Sequence, residues 1–176
     1  MLALVLSVMI GLSAGAFEMP VTDILSANLS AQQEAVLWSI RLPRVLLAGV
    51  VGAGLAICGA VLQGLFRNPL ADPQLIGVSA GAALAVALVI VFGAALNFSV
   101  LPDFVVVSMK SIAAFFGGLF TCLVIFKIAK VSGKVSVAHM LLAGIAVSAI
   151  AVSGIGFLSY LSDDQQLREI TFWTLG

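Results

Sequence analysis

Residues 42–66 constrain this chain more than any other stretch. They read LPRVLLAGVVGAGLAICGAVLQGLF, and past Arg44 in the opening turn they hold no charged side chain. Arg41 and Arg44 bracket one end and Arg67 the other. As a helix, 25 residues rise roughly 37 Å, which crosses an apolar layer of about 30 Å with some tilt. A polar bend, RNPLADPQ at 67–74, follows, and a second apolar run begins at Ile76. Pro69 and Pro73 restrict the residues before them, while Asn68 and Asp72 can bond nearby backbone, so the chain turns here and comes back.

The remaining sequence extends this pattern. Hydrophobic residues make up 62% of the chain and charged residues 9%, too few to cover so much apolar surface in water. Neither 84–96 nor 113–125 offers a continuous polar face, which excludes a soluble helical bundle. A formal net charge of zero gives no long-range attraction to nucleic acid. The expected fold is an all-α polytopic membrane protein with five spans, at 1–17, 42–66, 76–96, 105–128 and 141–161. No Lys or Arg precedes Arg41, so 1–17 reads as a retained span rather than a secretory signal, which would open on a basic segment.

Between the spans, 18–41 reads as an external amphipathic connection. Asp23 or Ser26 could cap a short helix there, and Trp38 could anchor at the interface. Pro43 is tolerable at the first turn of the second span, where that amide needs no partner within the helix. Within that span Ala48, Gly52, Ala56 and Ala60 repeat every four residues, a stripe that lets another helix approach closely. Ser79 to Ala83, and Gly117 and Gly118 with their small neighbours, invite similar packing. Lys110 can snorkel toward headgroups. Cys58 and Cys122 lie in apolar runs and read as small buried side chains. Segment 97–102 is a turn, and 162–176 leaves the membrane as an external segment. Basic residues divide four and four between the two sides, so their count alone does not orient the chain; the compact cluster Lys127, Lys130 and Lys134 in 127–139 and the first connection, 67–75 with Arg67, favour the cytoplasm for both. Arg41 and Arg44 then face outward.

No catalytic centre assembles from these residues. His139 is the sole histidine and belongs to no ligand cluster. Asp163 and Asp164 suit a solvated loop, and no GxxxxGK[ST] phosphate loop occurs. Neither enzyme activity nor a cofactor or metal is expected, and uphill transport would need nucleotide hydrolysis by another polypeptide.

The ordered set RLPR (41–44), the small-residue helix, Gln63–Gly64, RNPLADP (67–73), Gly77 and SAGA (79–82) resembles the FecCD-type permeases. These are the membrane subunits of binding-protein-dependent ABC importers for iron–siderophore complexes, haem and vitamin B12. The resemblance runs through FWTLG at 172–176. It implies a ten-helix subunit of two related five-helix halves, of which this chain matches the first. The coupling region between the sixth and seventh helices is expected outside it. The implied partners are a second permease subunit, homodimeric in the full-length protein, two cytoplasmic ATPase subunits, a periplasmic solute-binding protein and the inner-membrane bilayer.

The resemblance also implies roles for particular residues. Arg41 and Arg44 match arginines that dock acidic residues of the binding protein, and guanidinium forks suit carboxylates. Arg67, Asn68, Pro69, Asp72 and Pro73 match the cytoplasmic turn between the second and third helices. The segment 160–169 with Thr171, Phe172 and Trp173 is similar to haem importers, placing haem ahead of ferric siderophores and vitamin B12. Two alternatives stand beside this reading. One is an ion-gradient secondary transporter, for which the spans supply no coupling charge. The other is a noncatalytic assembly fragment.

Overall fold

The computed structural model describes residues 2–15, 17, 19–26, 29–69, 72–95, 102–131 and 134–175. Apart from one small hairpin these form helices, in two compact units, 1–60 and 61–176. Among the described residues, three helices are long and apolar enough to cross a membrane: Ala31–Phe66, Phe104–Ala129 and Val137–Leu161. Two shorter apolar helices, Leu2–Ser13 and Val78–Gly93, accompany them.

The first unit contains α1 (Leu2–Ser13), α2 (Val21–Leu25), α3 (Ala31–Val36), a π turn (Leu37–Arg41) and most of α4 (Leu42–Phe66). Of the two candidate caps, Asp23 lies inside α2, which follows Pro20 with no side-chain cap at its start, while Ser26 closes its C-terminus, its amide bonded to Thr22 O at 2.9 Å and its hydroxyl donating to Asp23 O at 3.4 Å. Ser30 caps the next helix. Its hydroxyl accepts from the Gln33 amide and the Gln33 side chain accepts from the Ser30 amide, a reciprocal pair that satisfies two unpaired donors of α3.

From Ala31 the helix continues without a break to Phe66, over 36 residues. Pro43 therefore lies inside a helix and not in its first turn, which corrects the sequence expectation. An interior proline removes one donor and crowds the carbonyl four residues back. The π turn widens the ladder just before it, and the Leu42 amide reaches Leu37 O, five residues back. One inserted residue absorbs the misfit.

The second unit begins on the last turn of α4. Arg67 sits at φ +48, with its amide bonded to Gly64 O at 3.4 Å and the Asn68 amide to Gln63 O at 3.2 Å. This paired closure is usually completed by glycine, and here an arginine adopts the left-handed conformation. Leu70 and Ala71 lie outside the described residues. The chain then restarts on Asp72, whose carboxylate accepts from the Gln74 amide at 2.9 Å, with Pro73 opening a 3-10 turn (Pro73–Ile76). Gly77 ends that turn at φ +73, and a Cβ there would lie 3.0 Å from Gly144 O. Only glycine meets both demands.

Helix α5 (Val78–Ala95) packs between α6 (Asp103–Ala129) and α7 (Val137–Leu161). Of the turn expected at 97–102, only Pro102 falls within the described residues. Buried positions Met140, Ala143, Gly144, Ala151 and Leu158 recur along α7 at helical spacing, so one face of a mostly apolar helix meets protein. Two cores result. One joins Ile76, Ile125, Ala129, Met140 and Ala143. The other joins Val86, Ala87, Ile90, Leu158 and Ile170.

Two connections differ from expectation. Lys130–Val131 and Lys134–Val135 form antiparallel strands β1 and β2, with Lys130 opposite Val135. The Ser136 hydroxyl then accepts from the His139 amide and starts α7. Within the segment expected to leave the membrane, residues 164–175 form helix α8 (Asp164–Leu175). Asp163 Oδ1 accepts from the Gln166 amide at 2.8 Å and Gln166 Oε1 from the Asp163 amide at 3.1 Å. Asp163 is thus a helix cap rather than part of a solvated loop.

Candidate functional site

The arginines of RLPR lie where the π turn joins α4, and their surroundings differ. Arg41 is 8% exposed. Its Nη1 donates to Leu12 O at 2.6 Å and Ser13 O at 2.8 Å, and its Nη2 donates to Phe17 O. Leu12 and Ser13 are in the last turn of α1, where carbonyls lack partners within the helix. A guanidinium there satisfies them and complements the negative end of the helix dipole. Gly15 makes room: it sits at φ +153, and a Cβ on it would come within 2.8 Å of Arg41 Nη2.

Arg44 is exposed. Among the described residues it forms no ion pair, the one such pair being Lys110–Glu169. Both arginines line a cavity of 320 Å³ whose other walls include Gly11, Ala14, Phe17, Val36, Ile40 and Val45. Apart from the two arginines, the side chains that line it are apolar. Trp38, one turn before Arg41, is 60% exposed.

The small-residue stripe has a different setting. Ala48, Gly52, Ala56 and Ala60 are all exposed, no residue of α4 is buried, and a Cβ on Gly52 would meet nothing within 4 Å. Cys58, expected to be buried, is exposed on this helix. The turn residues Arg67, Asn68, Pro69, Asp72 and Pro73 form the locked bend described above. Lys127 is exposed in the last turn of α6 and Lys130 is exposed on the first strand of the hairpin, and Lys134 belongs to its second strand.

Lys110 does not snorkel. Its ammonium pairs with the Glu169 carboxylate of α8, and the two side chains are 16% and 40% exposed. A nearby carboxylate satisfies the charge more directly than a stretched side chain reaching for headgroups. This pair was not legible from spacing, because its partners stand 59 residues apart. The caps at Ser30 and Asp163 were legible: each has Gln three residues on. Among the described residues, no group of three or more His, Cys, Asp or Glu could hold a metal ion.

Comparison with known proteins gives a consistent result. The sequence profile of the FecCD transport family matches residues 3–176. A hemin transport system permease, HmuU of Yersinia pestis, is 49% identical over 138 residues, covering 78% of this chain and 40% of the relative. A cobalamin import system permease, BtuC of Halobacterium salinarum, is 38% identical over 143 residues, covering 81% and 36%. A solved chain described as an inward-facing conformation of a metal-chelate type ABC transporter superposes with a TM-score of 0.75 at 33% identity. That match covers 98% of this chain and 50% of the other. The chain thus spans half or less of the length of these relatives.

Proposed function

The chain belongs to the FecCD transport family, and on that premise we propose that it is the first half of the permease subunit of a binding-protein-dependent ABC importer. The cargo is an iron-containing chelate, with haem favoured. The similarity to a hemin permease carries that preference, together with the segment 160–173 singled out above.

In this reading the permease performs no covalent chemistry. A periplasmic solute-binding protein docks on the face bearing RLPR and releases its cargo into an outward-facing cavity. Two cytoplasmic ATPase subunits drive closure and reopening toward the cytoplasm, and a second permease subunit completes the pathway. The spans carry few fixed charges, which suits a large cargo passing between alternating states rather than one held in a deep polar site. Arg67, Lys127 and Lys130 face the ATPases, with the locked bend keeping the second and third spans in register.

The experiment is uptake into proteoliposomes containing the full-length permease, its ATPase and its binding protein. Haem should accumulate only with ATP and with both partners, and should outcompete a ferric siderophore and vitamin B12. Uptake that continues without either partner, or follows an ion gradient without ATP, rejects the importer. Impermeant thiol reagents should reach cysteines at positions 44 and 130 from opposite sides of the membrane. Labelling of both from one side removes the assigned orientation.

A further inference from the structure

We propose that the exposed face of α6 and the lysines at its end form a binding site for an anionic phospholipid, with the acyl chains along the helix and the phosphate between Lys127 and Lys130. The inference needs α6 to span the membrane. It needs neither the importer reading nor a particular cargo.

Helix α6 has two unlike faces. Thr121, Ile125 and Ala129 are buried, the last two in the first core, and Gly117 and Gly118 lie close against α5. The other face carries two rows at helical spacing. Phe116, Phe120 and Leu123 lead to Lys127, while Leu119, Leu123 and Phe126 lead to Lys130, the residue that ends the helix. Every side chain in both rows is exposed. Both rows change from apolar to cationic within the last turn of α6, as they should where a helix leaves the hydrocarbon. From Phe116 to Lys127 the helix rises roughly 16 Å, close to the roughly 15 Å of hydrocarbon in one leaflet. A phospholipid lying along the rows therefore brings its phosphate level with the lysines.

Charge selects the lipid. Lys127 and Lys130 stand three residues apart, a spacing at which like charges on a helix repel. Among the described residues neither forms an ion pair, and no Asp or Glu occurs between Asp103 and Asp163. Lys134 adds a third cation on the neighbouring strand, opposite Val131. Each strand has two residues and β1 follows α6 directly, so these positions stay beside the helix end. A phosphodiester with no cation in its own headgroup relieves the repulsion, whereas a zwitterionic headgroup brings its own ammonium. The competing role for both lysines is to complement the negative end of α6, which involves no lipid.

The test places the full-length permease in phosphatidylcholine nanodiscs with a trace of phosphatidylglycerol or phosphatidylcholine carrying a photoreactive acyl chain. Adducts are scored on the peptide covering 115–130. Wild type should favour phosphatidylglycerol by about ten- to thirtyfold, and Lys127→Gln and Lys130→Gln should each lower that preference roughly fivefold. The double variant should label equally with both lipids, and Lys130→Arg should keep the preference. Excess inorganic phosphate should not compete, because it brings no acyl chain; competition reveals a soluble-anion site and overturns the lipid assignment. Equal labelling by the two lipids in wild type overturns the proposal. So does the absence of both labels, which means that another part of the protein covers these rows. A preference that survives in the double variant leaves the lysines to the helix end, or to the ATPase if its association weakens, and overturns the proposal in either case.

Discussion

Helix α4 and the α5–α6 pair are built from the same materials and end in opposite states. Both are rich in Gly and Ala, and both have small residues at four-residue spacing. In α5 and α6 the small residues are consumed by contact: a Cβ on Gly81 would lie 2.7 Å from Thr121 Cβ, and one on Gly117 would lie 2.7 Å from Gly81 O. In α4 the stripe Ala48, Gly52, Ala56, Ala60 is exposed throughout. A small-residue stripe therefore permits close approach but does not identify a partner. Between apolar helices in lipid, gain comes from van der Waals contact across a thin interface. Such an interface exists only where a second surface of matching shape is supplied.

Three substitutions sharpen this contrast. The largest effect should come from Gly81→Val, which drives two methyl groups into Thr121 and the α6 backbone. It should cost roughly 2–3 kcal/mol, seen as a lowered unfolding midpoint of the full-length permease in detergent. A neutral outcome means that α5 and α6 are not closely packed in solution. Next comes Lys110→Met, which leaves Glu169 unpaired while keeping the hydrocarbon stem. With Glu169 partly exposed the loss should be about 1–2 kcal/mol. The exchanged pair Lys110→Glu with Glu169→Lys should recover part of it. No recovery means that the side chains contribute by packing rather than by charge.

The smallest effect should be that of Gly52→Ala on the uncovered helix. With nothing within 4 Å the new methyl group should be accepted and the helix gain up to about 1 kcal/mol in propensity. The informative reversal is a loss of stability at Gly52 in the full-length permease. That outcome places another helix against the α4 stripe and makes the two regions alike.

Much of the architecture was legible because it depends on local rules. The apolar run 42–66 is helical throughout, as part of a longer helix that begins at Ala31, and Asp72–Pro73 starts a turn as a cap followed by a proline should. The helix over 164–175 was also legible in principle, since Asp163 and Gln166 form a local capping pair. The hold of Arg41 on the end of α1 was not: its partners are 24 to 29 residues away and are backbone carbonyls, which carry no residue-type signal. The same holds for Lys110 and Glu169.

From sequence alone came the solvent this chain needs, the places where it must turn, and the family to which it belongs. Those follow from hydropathy, from proline and aspartate stereochemistry, and from motif order, all of which are properties of neighbours along the chain. Tertiary structure alone decided that Arg41 faces inward while Arg44, three residues on, stays exposed. It also decided that one small-residue helix is packed and another open. Both outcomes depend on which distant surface arrives at a given helix face, and periodicity along one helix contains no record of that.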